Sequence, residues 1–137
     1  MFYYAKIIKE NDAYLVSFPE FPKINTYGDC IEEALKNAEE ALNGCIESDF
    51  ERGFKLNLPK EHKGKFFYPI YLKPHIEMAY KIRKLRANKS QIEIAKKLGI
   101  SYQAYQKLEN PRKCNPTLKT LEKIAKTMKK KIEFAIK

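Results

Sequence analysis

The sequence predicts an α+β domain with the element order β-β-β-α-β, followed by an all-α domain and a terminal strand. Alternating aromatic and β-branched runs open the chain, one long amphipathic helix pattern follows, and short helical patterns succeed one another after Pro74. The net charge also differs between the two halves of the chain. Residues 1–60 hold 7 Lys and Arg against 11 Asp and Glu, net −4, whereas residues 61–137 hold 20 against 6, net +14. We therefore expect two domains, residues 1–73 and 74–137.

Four segments of the first half have the composition of β-strands, with aromatic and β-branched residues bounded by turn-forming residues. They are residues 2–9, 13–18, 24–27 and 65–72. Pro19 and Pro22 lie between the second and third segments, and because proline cannot donate to a strand ladder, we expect this stretch to leave the sheet. Asp29 is predicted as the N-cap of the helix that follows, with Glu32 as its capping-box partner.

The helix predicted after Asp29 has two contrasting faces. Its apolar face is formed by Ile31, Ala34, Leu35, Ala38, Leu42, Cys45 and Ile46. Its other face carries Glu32, Glu33, Lys36, Glu39, Glu40, Asn43 and Glu47. One face is expected to pack on the sheet, in a two-layer sandwich, and the other to form an acidic surface. At about 70 residues such a domain has a marginal core, so a partner or oligomerisation would stabilise it.

The second half reads as four short helices. The first spans residues 75–86. Ser90, with Glu93 three residues later, forms a capping box for the second, which Gly99 ends. Ser101 caps the third, residues 102–109, and Thr117 caps the last, which runs to residue 128. The inward-facing positions of the third and fourth helices are predicted to be Ala104, Tyr105 and Leu108, then Leu118, Leu121, Ile124, Ala125 and Met128.

Two short helices joined by a three-residue turn that contains glycine form the helix-turn-helix pattern. The stretch SQIEIAKKLGISYQAYQKLEN resembles the Cro/Xre-type helix-turn-helix family, and the likeness extends through the Asn-Pro-Thr-Leu at residues 115–118. The second helix of this motif lies in the major groove of DNA. Gln103 and Gln106 could each pair with adenine, and Lys107 could meet a phosphate. The predicted DNA-binding residues are Gln91, Ser101, Tyr102, Gln103, Gln106, Lys107, Arg112 and Lys113.

The last residues, KKKIEFAIK, alternate apolar and polar side chains with the two-residue period of a strand. We predict a terminal strand over residues 129–137. Because a lone strand is not stable, it would pair with a second copy of itself, pair with strands of the first domain, or fray. A helix-turn-helix protein that reads two half-sites also needs two copies, so we expect a homodimer or a higher homo-oligomer.

The first half resembles the N-terminal domain of the HicB antitoxins. The residues that carry this resemblance are YLVSFPEFP at 14–22, TYGD at 26–29, and the helix residues Glu32, Glu33, Ala34, Leu35, Asn37, Ala38, Ala41 and Leu42. Where the family often has Gly-Cys, this chain has Lys23-Ile24. The resemblance implies a truncated RNase H-like fold that binds and blocks a small ribonuclease toxin, HicA, and a chain that represses its own operon by binding operator DNA. The residues expected to contact the toxin are Glu20, Phe21, Glu32, Lys36, Glu39 and Glu40.

The sequence gives no sign of catalysis. RNase H chemistry needs carboxylates gathered from strand centres to hold two metal ions, and residues 2–9 and 13–18 contain none. His62 and His75 lack metal-ligand spacing, Cys30, Cys45 and Cys114 fit reduced thiols, and no cofactor is expected. We see no signal peptide and no membrane-spanning run, so we expect a cytoplasmic protein. The alternative to an antitoxin is a stand-alone transcriptional regulator whose first domain serves sensing or dimerisation.

Overall fold

The structure is a computed structural model that describes residues 1–137. The chain divides into two compact units, Met1–Pro74 and His75–Lys137.

The first unit is a four-stranded antiparallel sheet with one long helix on one face. Its elements are β1 (Phe2–Glu10), β2 (Ala13–Phe18), β3 (Phe21–Gly28), α1 (Ile31–Glu51) and β4 (Phe67–Tyr71). The strand order is β3-β2-β1-β4, so β3 and β4 form the edges. The core consists of alternate residues of the strands and the inner face of α1, including Tyr3, Ala5, Ile7, Val16, Ala34, Ala38, Leu42 and Ile46. The predicted order β-β-β-α-β is confirmed.

The prediction that the segment around Pro22 leaves the sheet is wrong, because β3 begins at Phe21. Phe18 pairs with Phe21 across a tight turn, whereas Ser17 pairs with Asn25, and the register between β2 and β3 therefore shifts at this point. Pro22 lies in the irregularity on an edge strand. Its missing N–H costs no regular ladder bond there, which is why the sheet tolerates it.

The start of α1 also differs from the prediction. Its N-cap is Cys30 and no side chain caps it, whereas Asp29 is exposed. A Cβ atom built on Gly28 would lie 2.3 Å from the backbone nitrogen of Ala34, so the end of β3 passes against the first turn of the helix. Asn37 then donates a hydrogen bond of 2.8 Å to the carbonyl oxygen of Tyr27. These contacts between β3 and α1 fix the entry to the helix in place of a capping box.

Asn43 lies on the face of α1 that the sequence predicts to be exposed, yet it is buried. Its amide nitrogen donates to the carbonyl oxygens of Glu39, at 2.9 Å, and Tyr71, at 3.2 Å, while its oxygen accepts from the backbone N–H of Lys73 at 2.7 Å. Buried polar groups are retained where they are fully hydrogen-bonded. Asn43 therefore ties the middle of α1 to the end of β4.

The second unit contains α2 (Pro74–Arg86), α3 (Gln91–Leu98), α4 (Tyr102–Leu108) and α5 (Leu118–Thr127). The predicted caps are confirmed: the hydroxyl oxygens of Ser90, Ser101 and Thr117 accept from the backbone N–H groups three residues on, at 3.0, 3.1 and 3.1 Å. The buried residues include Ile76, Ala79, Ile82, Ile94, Ala95, Leu98, Tyr105, Leu108, Leu121, Ile124 and Ala125.

Two predicted inward positions, Ala104 and Leu118, are wrong, because both are exposed. Successive residues of a helix are rotated by about 100°, and the larger Tyr105 occupies the inward position on α4, which turns Ala104 outward. Leu118, at 68% exposure, is the first residue of α5 and lies one turn before the buried Leu121.

The end of α5 is a chain reversal. Lys129 has a positive φ of 57°. Lys130 donates its backbone N–H to the carbonyl of Ala125 at 2.8 Å, and Lys129 donates to that of Lys126 at 3.2 Å, which is the Schellman pattern. Residues 130–137, here called the tail, form neither helix nor strand, and all four strands of the sheet come from residues 2–71. The predicted terminal strand is thus not confirmed, because a ladder needs a second strand that the single chain does not supply.

Candidate nucleic-acid interface and protein-binding surface

Helices α3 and α4 pack against each other across a turn of three residues. Gly99 adopts a left-handed conformation, with φ of 68°, and ends α3. The N–H of Ile100 returns to the carbonyl of Ala95 at 3.1 Å, which closes the turn. Ser101 then begins α4 with its hydroxyl held by the N–H of Ala104. The geometry is that of a helix-turn-helix, in which α4 occupies the position of the DNA-reading helix.

One face of α4 is buried and the other is exposed. Tyr105 and Leu108, three residues apart, point into the core. The four predicted contact residues of this helix, Tyr102, Gln103, Gln106 and Lys107, are all exposed. Residues three and four apart share one face of a helix, so α4 presents two amides together with a phenol and an ammonium group. Amide side chains can form bidentate hydrogen bonds with adenine.

A buried carboxylate supports the base of this surface. Glu109, directly after α4, accepts hydrogen bonds from Nε and Nη2 of Arg86 at 2.6 and 3.0 Å, from the hydroxyl of Tyr105 at 2.5 Å, and from Nε2 of Gln91 at 3.3 Å. Nε of Arg83 lies 3.5 Å from the same carboxylate. Glu109 therefore joins α2, α3 and α4.

The ionisation of this network follows from its contacts. Burial alone would raise the pKa of Glu109, but the hydrogen bonds from Arg86 and Tyr105 outweigh it and hold this pKa below its usual value. The hydrogen bond to Glu109 raises the pKa of Arg86. Burial, followed by the bond to Glu109, raises the pKa of Tyr105. The network therefore consists of an anion, a cation and a neutral phenol.

Sequence reasoning treated Glu109 only as part of the Leu-Glu-Asn motif and did not single out Arg86. A usable signal was present, because Glu109 is one of 6 acidic residues in the second half of the chain and directly follows two apolar inward positions. Gln91, predicted to bind DNA, is half-buried, and its side-chain amide donates a hydrogen bond to Glu109. Arg112 and Lys113 are exposed in the loop after α4, where Asn110 Oδ1 accepts the N–H of Arg112 at 2.9 Å.

The predicted protein-binding residues separate into two groups. Glu32, Lys36, Glu39 and Glu40 are exposed on α1 and form a predominantly acidic face. Glu20 and Phe21 are buried. Oε1 of Glu20 lies 2.7 Å from Nε2 of His62, its carbonyl accepts from Asn57 at 2.9 Å, and the ring of Phe21 lies 5.0 Å from that of Tyr3. Glu20 fastens the segment between α1 and β4 to the β2–β3 turn, Phe21 packs on β1, and both residues offer little surface to a partner.

No group of three or more His, Cys, Asp and Glu side chains is placed to hold a metal ion. All three cysteines are free thiols, and burial raises the pKa of Cys114 to about 11, which keeps its thiol protonated. No helix combines the length and the apolar content that crossing a bilayer requires.

Taken together, the fold and the α3–α4 geometry define a helix-turn-helix DNA-binding protein with an additional α+β domain. Residues 3–67 match the family model described as "HicB_like antitoxin of bacterial toxin-antitoxin system", and residues 80–134 match a helix-turn-helix model. The chain therefore carries a HicB-like antitoxin domain followed by a helix-turn-helix domain.

Two individual proteins and one solved structure are similar to this chain. Antitoxin HicB 1 of Photorhabdus laumondii is 35% identical over 101 residues, which cover 69% of this chain and 60% of that protein. An uncharacterized 14.9 kDa protein of the rep-hol intergenic region of Haemophilus phage HP1 is 43% identical over 51 residues, which cover 37% of this chain and 38% of the phage protein. The crystal structure of the Burkholderia pseudomallei antitoxin HicB is 16% identical, with a TM-score of 0.47, over 77% of this chain and 90% of that one.

Proposed function

We propose that this antitoxin binds and neutralises a small basic HicA-type toxin that cleaves mRNA, and that it represses its own operon by binding operator DNA. The observation that carries the proposal is the presence, in one chain, of a HicB-like domain with an exposed acidic helix and a helix-turn-helix domain with two exposed amides on its reading helix. The domains are residues 1–73 for the toxin and 74–137 for DNA. We expect toxin binding and operator binding to take place in the cytoplasm.

The toxin-binding part rests on charge. An enzyme that cleaves RNA needs a basic surface for its substrate, and an acidic partner surface can cover it. Glu32, Glu39 and Glu40 provide such a surface on α1, with Lys36 among them. We infer that the first domain, as a truncated RNase H-like fold, acts by binding and has no catalytic step of its own.

Co-expression with the short basic reading frames beside the gene tests this part. A stable complex is expected, and the charge-reversal pair Glu39→Lys and Glu40→Lys should weaken it at least tenfold, while Lys36→Glu should tighten it. The double reversal Glu10→Lys and Asp12→Lys, at exposed positions at the end of β1 and in the turn after it, changes the net charge equally and serves as the matched control. If no neighbouring product binds, or if the control weakens the complex equally, the acidic face of α1 is not the toxin site. Operator binding without any such partner would favour the stand-alone regulator.

The DNA-binding part rests on the exposed face of α4. Gln103→Ala should weaken binding to the operator by about 1–3 kcal/mol and leave binding to random duplex unchanged. Lys107→Ala should weaken both and reduce the slope of log K against log salt by about 0.9. The remaining residues proposed to contact DNA are Gln91, Ser101, Tyr102, Gln106, Arg112 and Lys113. Equal losses on operator and random DNA for Gln103→Ala would remove it from the base-reading residues.

A homodimer or higher homo-oligomer completes the proposal, because two half-sites about one helical turn apart require two reading helices. The terminal strand over residues 129–137 would form when the tail meets a partner strand.

A further inference from the structure

The face of the sheet turned away from α1 carries a row of aromatic side chains. On β1, Phe2, Tyr4 and Lys6 alternate with core residues and therefore lie on this outer face. The ladder between β1 and β4 places Tyr71 opposite Phe2 and Phe67 opposite Lys6. The four rings, here called the aromatic row, thus share the half of the outer face that β1 and β4 form.

The rings of the aromatic row form a continuous surface. The ring of Phe2 lies 5.2 Å from that of Tyr71 and 5.3 Å from that of Tyr4. His62 stacks on Phe67, with ring centres 5.0 Å and planes 15° apart, and its edge lies 6.4 Å from Tyr4. Tyr71 is 60% exposed, so the row ends in a ring that is open to solvent.

The surroundings of the aromatic row are basic. Residues 58–66, which bring His62 onto the row, contain three lysines and one glutamate, all exposed. Lys6 adds an exposed cation within the sheet. Helix α1, on the other side of the sheet, contains one lysine against seven acidic residues. The first domain therefore has an acidic helix face and a basic, aromatic sheet face.

We propose that the aromatic row binds single-stranded RNA, with a base stacked on Tyr71 and phosphates at Lys6 and the lysines of residues 58–66. Unpaired bases stack on exposed aromatic rings, while nearby cations follow the phosphates. Only the choice of RNA rests on the proposed function, in which the toxin acts on mRNA. The hydroxyls of Tyr71 and of Ser17, which lies opposite Lys6 on β2, are suited to hydrogen bonds with a 2′-hydroxyl group.

Charge disfavours two other occupants of this face. A basic toxin would meet the lysines of residues 58–66 and be repelled, and a second copy of the chain would bring the same lysines against themselves. An anionic strand is attracted, and the exposed rings give its bases a surface that a simple anion would not use.

Fluorescence anisotropy with the full-length protein and a labelled, unstructured RNA of roughly 12 nucleotides tests the proposal. An excess of unlabelled random duplex DNA occupies the helix-turn-helix domain. Tyr71→Ala should weaken RNA binding at least about fivefold, the effect of losing one base–ring stack. Tyr27→Ala is the matched control, because Tyr27 is 58% exposed and lies on the opposite edge strand, β3. Absence of RNA binding, or equal losses for the two variants, would overturn the proposal.

A charge variant tests the phosphate contact. Lys6→Gln should reduce the slope of log K against log salt by about 0.7, the value for one phosphate of a single strand. Lys9→Gln, at an exposed position on the other face of β1, should leave the slope unchanged. An unchanged slope for Lys6→Gln would remove this lysine from the site. Equal or tighter binding of the same sequence as DNA would overturn the choice of RNA.

Photo-cross-linking of the unaltered protein to RNA that contains 4-thiouridine does not depend on the folding of any variant. Cross-linked peptides should contain residues of the aromatic row, and cross-links confined to residues 75–137 would refute the site. None of these readouts involves toxin or operator, so failure of this inference is distinguishable from failure of the proposed function.

Discussion

Replacing Glu109 by glutamine tests whether the buried carboxylate network holds the DNA-binding domain together. The substitution keeps the shape of the side chain and removes its charge. Arg86, whose side chain is 19% exposed, then loses its ionic partner, and the hydroxyl of Tyr105 and the amide of Gln91 face a group that is itself partly a donor. The perturbation therefore reaches α2, α3 and α4 together.

The magnitude follows from burial. Removing one member of a buried ion pair costs about 3–5 kcal/mol, because the remaining charge stays desolvated. A domain of roughly 60 residues has a total stability of about 3–9 kcal/mol. Glu109→Gln should therefore bring this domain close to its unfolding midpoint.

Urea unfolding followed by far-UV circular dichroism measures the loss. Glu122→Gln, the same chemical change at an exposed position of α5, is the matched control. A loss below about 1 kcal/mol for Glu109→Gln, or one equal to that of the control, would refute the reasoning, since exposed charges contribute about 0–1 kcal/mol.

The pH dependence provides a second check. The pKa of Glu109 is lowered in the folded chain, so its contribution is fully present above the unfolded-state pKa of about 4.3 and is lost as the pH falls below it. The wild-type domain should lose stability as the pH falls from about 5 through the lowered folded-state pKa of Glu109, and Glu109→Gln should flatten this part of the curve.

Four further substitutions test the backbone and the buried amide by urea or thermal unfolding. Gly28→Ala should destabilise the first domain by about 1–3 kcal/mol, because the new Cβ would meet backbone atoms of Ala34, whereas Gly44→Ala, which meets nothing within 4 Å inside α1, should stabilise it by about 0.5–1 kcal/mol. Equal effects would contradict the close approach. Lys129→Gly should raise the stability of the second domain by about 1 kcal/mol, and a decrease would argue against the left-handed reversal. Asn43→Ala should cost about 1–3 kcal/mol by leaving two part-buried backbone groups, the carbonyl of Tyr71 and the N–H of Lys73, without this partner, and a neutral result would mean that water replaces the amide.

The features predicted correctly from the sequence are those with local causes. Ser90, Gly99 and Ser101 cap or end helices through contacts within four residues, and such contacts are visible in the order of the residues. The exposed positions of Gln103 and Gln106 follow equally from the helical period, although their contacts with DNA remain predictions.

The features that were missed depend on neighbours distant in sequence. Asp29 is a residue type that often caps helices, but the contact of Gly28 with α1 decides where the helix begins. Asn43 looks like a surface residue until its partners at the end of β4 are known, and Glu20 looks like a loop carboxylate until His62 covers it. Helical periodicity cannot show which polar residue finds a buried partner 28 or 42 positions away.

The placement of prolines and lysines along the sheet edges has a consequence for assembly. β3 carries Pro22 and Lys23 and β4 carries Pro69, and such residues on edge strands discourage another strand from adding there. Both edges of the sheet therefore resist the edge-to-edge pairing by which the sheets of separate molecules join, although each edge strand has backbone groups that the sheet itself leaves unpaired.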